Sequence, residues 1–218
     1  SGVLAVTSIK AINEACKSIG MPELSNTRIV ELAHNIEDGL RYSYTGMQDQ
    51  CAAVFGGINK WIWTYSSEPK FRQESLSVDD NELSKRLVVA YIGKSHNSSD
   101  VNSKQVRGFL NGQTRTPWFK INKIGGEFAA ALVESDWEKA GKLISQETEI
   151  RCELVPSRIT PLGERLQEIA QRNGAGFATS GAGNGGCVWA LCQTPEDKDK
   201  IESIWREMLL EIETARIL

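Results

Sequence analysis

The chain opens on apolar residues at helical spacing. Val3, Val6, Ile9, Ala11, Ile12, Ala15, Cys16 and Ile19 predict a helix over Val3 to Ile19, stopped by Gly20 and Pro22. A second helix is expected from Asn26, as its cap, through Val30, Ala33, Ile36 and Leu40. After a polar turn, Arg41 to Gly46, a short apolar helical stretch runs over Gln50 to Phe55 and closes at Gly56-Gly57. Ile58 to Thr64 and Phe71 to Val78 read as strands joined by a Ser-Ser-Glu-Pro turn, and Leu87 to Ile92 as a buried strand. The loop Gly93 to Asp100 ends in residues able to cap the helix that follows.

Val101 to Ile159 is mostly helical in pattern, with breaks expected at Thr116-Pro117, Gly125-Gly126 and Pro156. Thr160-Pro161 sets a cap and a first-turn proline before a helix to Arg172, ended by Asn173-Gly174. Phe177 to Thr179 and Cys187 to Cys192 are short strands around a glycine loop. Thr194-Pro195-Glu196-Asp197 then starts a last helix toward Ala215. Helices, strands, helices and a final strand–loop–strand–helix predict an α+β protein with mixed sheets.

At 218 residues, with 40% hydrophobic and 24% charged positions, the chain has ordinary globular usage. A net charge of −3 provides no basic footprint for nucleic acid and no polybasic stretch for a membrane, and no apolar run is long enough to span one. The pairs Lys120 with Lys123 and Lys104 with Arg107 read as solvated helix surface. The five cysteines, Cys16, Cys51, Cys152, Cys187 and Cys192, form no CxxC pair, which points to free thiols in a reducing cytoplasm.

Three segments carry candidate chemistry. Ser180-Gly181-Ala182-Gly183-Asn184-Gly185-Gly186 lies between two short strands, and its glycines allow positive φ and close approach of backbone N–H groups to an anion. It is neither a Walker A loop nor a dinucleotide fingerprint, and an unliganded hairpin loop explains it equally well. In the second segment, Asp49 follows a glycine turn and opens an apolar helical turn, where a carboxylate can accept a proton from a substrate hydroxyl. Glu37, a dozen residues earlier, can fold back beside it, and two converging carboxylates suit Mg²⁺. Alternatively Asp49 caps its helix and Glu37 faces solvent. The third is Ser1-Gly2, a helix start and so an anion-binding end.

In this order the segments resemble the GHMP kinases, named for galactokinase, homoserine kinase, mevalonate kinase and phosphomevalonate kinase. Ser1-Gly2-Val3-Leu4-Ala5 resembles the helix entered from that family's Gly-x-Gly-Ser-Ser loop. Gly181 to Gly186 resembles its last glycine motif. Thr45 to Gly57, continued by Asn59, is similar to the Gly-Lys-Gln-Asp-Gln…Phe-Gly-Gly segment of the D-glycero-D-manno-heptose phosphate kinases, as is the run from Ala130 through Asp136-Trp137 to Pro161. The resemblance implies the end of an N-terminal α/β domain over residues 1–80 and a ferredoxin-like C-terminal domain over 81–218. It implies ATP-dependent phosphorylation of a sugar or sugar phosphate, heptose 7-phosphate foremost. Asp49 would be catalytic, and Glu37 and Ser1 would hold Mg²⁺ on ATP. Thr45, Gly46 and Gln48 would contact the acceptor. Gly181, Ala182, Gly183, Gly185 and Gly186, with Ser1, would line the nucleotide.

The chain departs from the family pattern in three places. Met47 stands where the heptose kinases have lysine, and Asn184 where they have glycine. The family's first motif and most of its phosphate loop would precede Ser1, so truncation and impaired ATP binding are expected. Two other readings stand beside the kinase: a non-catalytic ligand-binding or regulatory relative, and a scaffold whose bared apolar surface associates, for instance as a homodimer. Trp61 and Trp63 read as core or sheet surface. Trp189 and Trp205 read as packing between the last strand and last helix, while His34 and His96 carry weak site signals.

Overall fold

The computed structural model describes residues 2–39, 46–64, 69–93 and 99–218. The expected roles of Ser1 and Thr45, Leu40 as the end of the second helix, most of the Ser-Ser-Glu-Pro turn and His96 with its loop lie outside them. The chain divides into two compact units, Ser1–Leu76 and Ser77–Leu218. No helix among the described residues is long and apolar enough to cross a membrane.

The first unit packs α1 (Gly2–Ser18), α2 (Asn26–Gly39) and α3 (Gln48–Phe55) with a hairpin of β1 (Asn59–Trp63) and β2 (Phe71–Ser75). Gly20, at φ 82, ends α1 in a Schellman turn, with Met21 N–H donating to Cys16 O at 3.1 Å and Gly20 N–H to Lys17 O at 3.0 Å. The cap of α2 is Ser25, whose hydroxyl accepts from Arg28 N–H at 3.2 Å; the expected Asn26 is already inside the helix. Val6, Ile29, Val30, Ala33, Cys51, Val54 and Phe71 form the core. Trp61 packs on Phe55 and Phe71 with ring centroids 5.4 and 5.6 Å away, and Trp63 lies at the rim.

The second unit contains α4 (Asp80–Ser84), β3 (Leu87–Tyr91), α5 (Ser99–Leu110), α6 (Arg115–Val133), α7 (Trp137–Leu154), a 3₁₀ turn (Pro156–Arg158), α8 (Pro161–Arg172), β4 (Gly176–Thr179), β5 (Cys187–Leu191), α9 (Pro195–Leu209) and β6 (Arg216–Ile217). Its sheet has the order β4-β5-β3-β6, with every pairing antiparallel. A strand, a helical crossover, two adjacent strands, a helix and a returning strand make the split βαβ arrangement of ferredoxin-like domains. The fold is α+β as expected, but its sheets are antiparallel rather than mixed. The last helix ends at Leu209, short of the expected Ala215, and is followed by the short strand β6.

Alternation along β5 separates two apolar layers. Val188 and Ala190 join the core under α8 and α9, where Trp205 is fully buried, its indole N–H donating to Leu166 O at 3.2 Å. Trp189 and Leu191 face the α6–α7 side, so Trp189 packs there and not against α9 as expected. Gly125 and Gly126 lie inside α6 and do not break it, and Pro117 is accommodated near its start. The helix instead ends in a Schellman turn on Ser135, at φ 56, after which Asp136 caps α7 by accepting from Lys139 N–H at 3.0 Å.

Along β4 the free edge is covered by α7: Thr148 Oγ1 donates to Phe177 O at 3.0 Å, and Phe177 N–H donates to Ser145 Oγ at 3.3 Å. This contact requires two glycines face to face. A Cβ on Gly176 would fall 2.2 Å from Gly141 O and 2.6 Å from Gly141 Cα. Gly176→Ala is therefore expected to cost about 3 kcal/mol, read from the denaturant midpoint; an unchanged midpoint would mean that helix and strand do not approach so closely.

Cys51 and Cys192 are fully buried, and burial pushes each thiol up to about 12. A thiol raised on folding contributes stability that is complete below its unfolded pKa of about 8.5 and is lost as pH rises through the folded value. Iodoacetamide at pH near 8 should leave both unmodified in the native protein. Stability should fall between pH of roughly 9 and 12, less steeply in Cys51→Ala and Cys192→Ala than in the parent; parallel profiles would contradict this.

Candidate functional site

In the first unit the beginning of α1, the last turn of α2 and the first turn of α3 meet. A Cβ on Gly2 would lie 3.3 Å from Asp49 Cβ, 3.3 Å from Glu37 Oε2 and 3.4 Å from Gln50 Nε2. Glu37 and Asp49 thus flank the start of α1, as sequence spacing suggested. Glu37 does not face solvent, being only 7% exposed. Asp49 is exposed and does not cap α3: the capping position is Met47, which makes no side-chain cap hydrogen bond. An acidic side chain in this first turn is also favoured by the helix dipole.

Gln50 was not anticipated. It is 1% exposed; its Nε2 donates to Glu37 Oε2, while its Oε1 is buried without a partner among the described residues. The signal for it is present, since it completes the Gln48-Asp49-Gln50 run, of which the sequence reading assigns roles only to Gln48 and Asp49. Gly46 and Gln48 are exposed just before and at the start of α3. Met47 packs against the unit's apolar core.

In the second unit the loop between β4 and β5 is closed at its base by Ser180 N–H donating to Cys187 O at 2.9 Å, and Ile92 N–H donates to Gly186 O at 3.0 Å. Gly181, Gly183, Gly185 and Gly186 all have positive φ, and so does Asn184, at 59. Asparagine is the mildest substitute for glycine in that region, which accounts for its presence here. A Cβ on Gly183 would fall 2.5 Å from the backbone O of Arg158, so this position admits no side chain.

Arg158, in the 3₁₀ turn, holds the loop from beneath. It is 4% exposed and donates through Nη2 to Gly181 O at 2.8 Å and through Nη1 to Ala182 O at 3.1 Å. Its backbone O accepts from Asn184 N–H, and its Nε has no partner among the described residues. Burial, reinforced by the charge of nearby Arg151, pulls Arg158 down to about 10, against Glu147 and Cys152. Glu147 is engaged with Arg151. Nothing in the sequence marked Arg158, which looks like an ordinary basic residue in a Pro-Ser-Arg turn. Among the described residues no group of three or more His, Cys, Asp and Glu side chains is placed to hold a metal.

The chain is thus a two-unit α+β fold with a split βαβ second unit and a glycine loop between the adjacent strands β4 and β5. Residues 128–210 match the family model "GHMP kinases C terminal". A bifunctional fucokinase/GDP-fucose pyrophosphorylase from Arabidopsis thaliana is 24% identical over 90% of the chain. Among solved structures, phosphomevalonate kinase from Streptococcus pneumoniae in complex with phosphomevalonate and AMPPNP matches at TM-score 0.71, 15% identity and 98% of the chain. Galactokinase from Lactococcus lactis complexed with galactose matches at 0.71, 14% and 98%. A D-glycero-D-manno-heptose 1-phosphate kinase from Bacteroides thetaiotaomicron matches at 0.65, 15% and 98%. The chain spans 19% of the plant protein and 66%, 64% and 57% of those three structures. These likenesses establish the fold, and the heptose kinase does not stand apart from the others.

Removing the Gln50 amide leaves a buried carboxylate without its donor. Gln50→Leu is expected to lower stability by about 2 kcal/mol. Urea denaturation measures this, and a loss under about 0.5 kcal/mol would show that Glu37 is held by other groups.

Proposed function

We propose that this chain belongs to an enzyme that transfers the γ-phosphoryl group of ATP to a hydroxyl of a sugar or sugar phosphate. The observation that carries this reading is the meeting of Glu37, Asp49 and Gln50 at the start of α1. The C-terminal family match and the kinase names of the structural neighbours support it. Residues 1–80 would belong to an N-terminal kinase domain and 81–218 to a C-terminal one.

Asp49, exposed and not used for capping, orients the acceptor hydroxyl and takes its proton as the oxygen attacks phosphorus. Gly46 and Gln48 beside it, with Thr45, contact the acceptor. The loop Gly181 to Gly186 offers backbone N–H groups to phosphate or sugar oxygens. Glu37 fits a magnesium ligand: it is a buried carboxylate whose side-chain partner among the described residues is a neutral amide, and Mg²⁺ on a nucleotide needs only one or two protein carboxylates. With Ser1, Glu37 would hold the ion, which when bound neutralises charge on the β- and γ-phosphates. Heptose 7-phosphate is the first acceptor to test, on the strength of the Gln-Asp-Gln segment. Five free cysteines support a reducing, cytoplasmic setting.

A second reading, a non-catalytic relative that binds ligand without turnover, is favoured by Met47. Its packing into the core leaves no cation at the position where the heptose kinases carry lysine. Assay of the encoded protein with ATP against a panel of sugars and sugar phosphates separates the two. Turnover that falls at least about 100-fold in Asp49→Asn supports the kinase. Nucleotide binding with no turnover supports the second reading, and an unchanged rate in Asp49→Asn removes Asp49 from the mechanism.

A further inference from the structure

The geometry points to Arg158 as a positioning residue that turns the amide N–H groups of Ala182 and Gly183 away from itself as an anion-binding pair. The inference rests on the proposed role of the glycine loop and assigns a second group to it. In a trans peptide the carbonyl and the following N–H point in opposite directions. Arg158 draws in the carbonyls of Gly181 and Ala182, at 2.8 and 3.1 Å. The N–H groups in the same two peptide planes, those of Ala182 and Gly183, therefore point away from the guanidinium. Neither donates to a backbone carbonyl among the described residues.

Backbone handedness agrees. Gly181 has φ 60 and Gly183 φ 80, with Ala182 between them in the ordinary negative range, the alternation in which successive N–H groups converge on one anion. The Arg158 stem fills the space beneath Gly183, so the loop cannot settle inward.

The choice of arginine is informative. A buried guanidinium is costly, and this one has no carboxylate partner among the ion pairs of the described residues, Glu147 being engaged with Arg151. A neutral donor would brace one carbonyl without that cost. The planar fork holds two carbonyls at once and leaves a positive charge directly behind the N–H pair. An anion in front of the loop, such as a phosphate oxygen of a nucleotide or sugar phosphate, meets both the two N–H dipoles and that charge.

The test uses the full chain, ¹⁵N-labelled and titrated with inorganic pyrophosphate. In the parent protein the Ala182 and Gly183 amide resonances should shift in a saturable way. Arg158→Lys, which keeps the charge but not the fork, should bind at least about tenfold more weakly, and Arg158→Met more weakly still. Unchanged affinity in Arg158→Met, or no response of these amides in the parent, overturns the assignment. Hydrogen exchange in the parent needs no variant: the Ala182 and Gly183 amides should exchange quickly while Asn184 N–H is protected, and the reverse pattern also overturns it. Pyrophosphate is neither acceptor nor donor in the kinase assay. A protein that passes here but shows no phosphoryl transfer loses the kinase reading and keeps the brace. One that turns over normally as Arg158→Met, with unchanged KM and kcat, does the opposite.

Discussion

The second unit is organised by a backbone contact. The α7 main chain at Gly141 lies against the β4 main chain at Gly176 with no side chain between them. That closeness lets Ser145 and Thr148 satisfy both the N–H and the C=O of Phe177 on the free edge of the sheet. An edge strand so covered presents no open ladder, and the direction in which it leaves the sheet is set by the helix. The glycine loop begins where β4 ends, so its geometry inherits this constraint. Arg158 then follows α7 directly, through the 3₁₀ turn at the end of that helix. One helix therefore positions both the strand that feeds the loop and the side chain that holds the loop's carbonyls.

The first unit uses a different device for a similar end. Three helix termini converge at Gly2, and the residue there must be small because Glu37, Asp49 and Gln50 occupy the space a side chain would fill. Lys10 Nζ donates to Val54 O at 3.2 Å, tying α1 to the other end of α3. Asn13 Oδ1 accepts from Leu24 N–H at 2.9 Å, fixing the connection into α2. These are single hydrogen bonds, each worth about 1 kcal/mol. Their value is in fixing where three short elements end relative to one another.

Much of this was legible in the sequence. Caps with a side-chain oxygen three residues ahead of a helical N–H, such as Thr160 and Thr194, announced their helices. Glycines at C′ positions, Gly20 and Gly174, ended theirs. The failures share a cause. Gly125-Gly126 looked like a break but lies within a long helix held by its neighbours, and the true end fell at Ser135, a non-glycine residue with positive φ. Local punctuation is a weak prior, and tertiary packing overrode it. The two carboxylates were found because their residue types are chemically conspicuous. Gln50 and Arg158 act through partners distant in sequence, by 13 residues for Glu37 and by 23 and 24 for Gly181 and Ala182, and no spacing rule reveals such pairs.

Among the described residues the buried side chains that carry charge are Glu37 and Arg158. Among the described residues the side-chain partners of each are neutral amide groups and not an opposite charge. That choice has a consequence. A buried ion pair cancels its own field, whereas a charge stabilised by dipoles keeps it. Glu37, held by the Gln50 amide, leaves a negative centre beside the start of α1 that a cation can neutralise. Arg158, held by two peptide carbonyls, leaves a positive centre, behind N–H groups that point away from it, that an anion can neutralise. Dipoles offset part of the desolvation penalty of each charge, and a ligand of opposite sign would offset more of it. Each unit therefore holds one buried charge, negative in the first and positive in the second, whose hydrogen-bond partners among the described residues are dipoles.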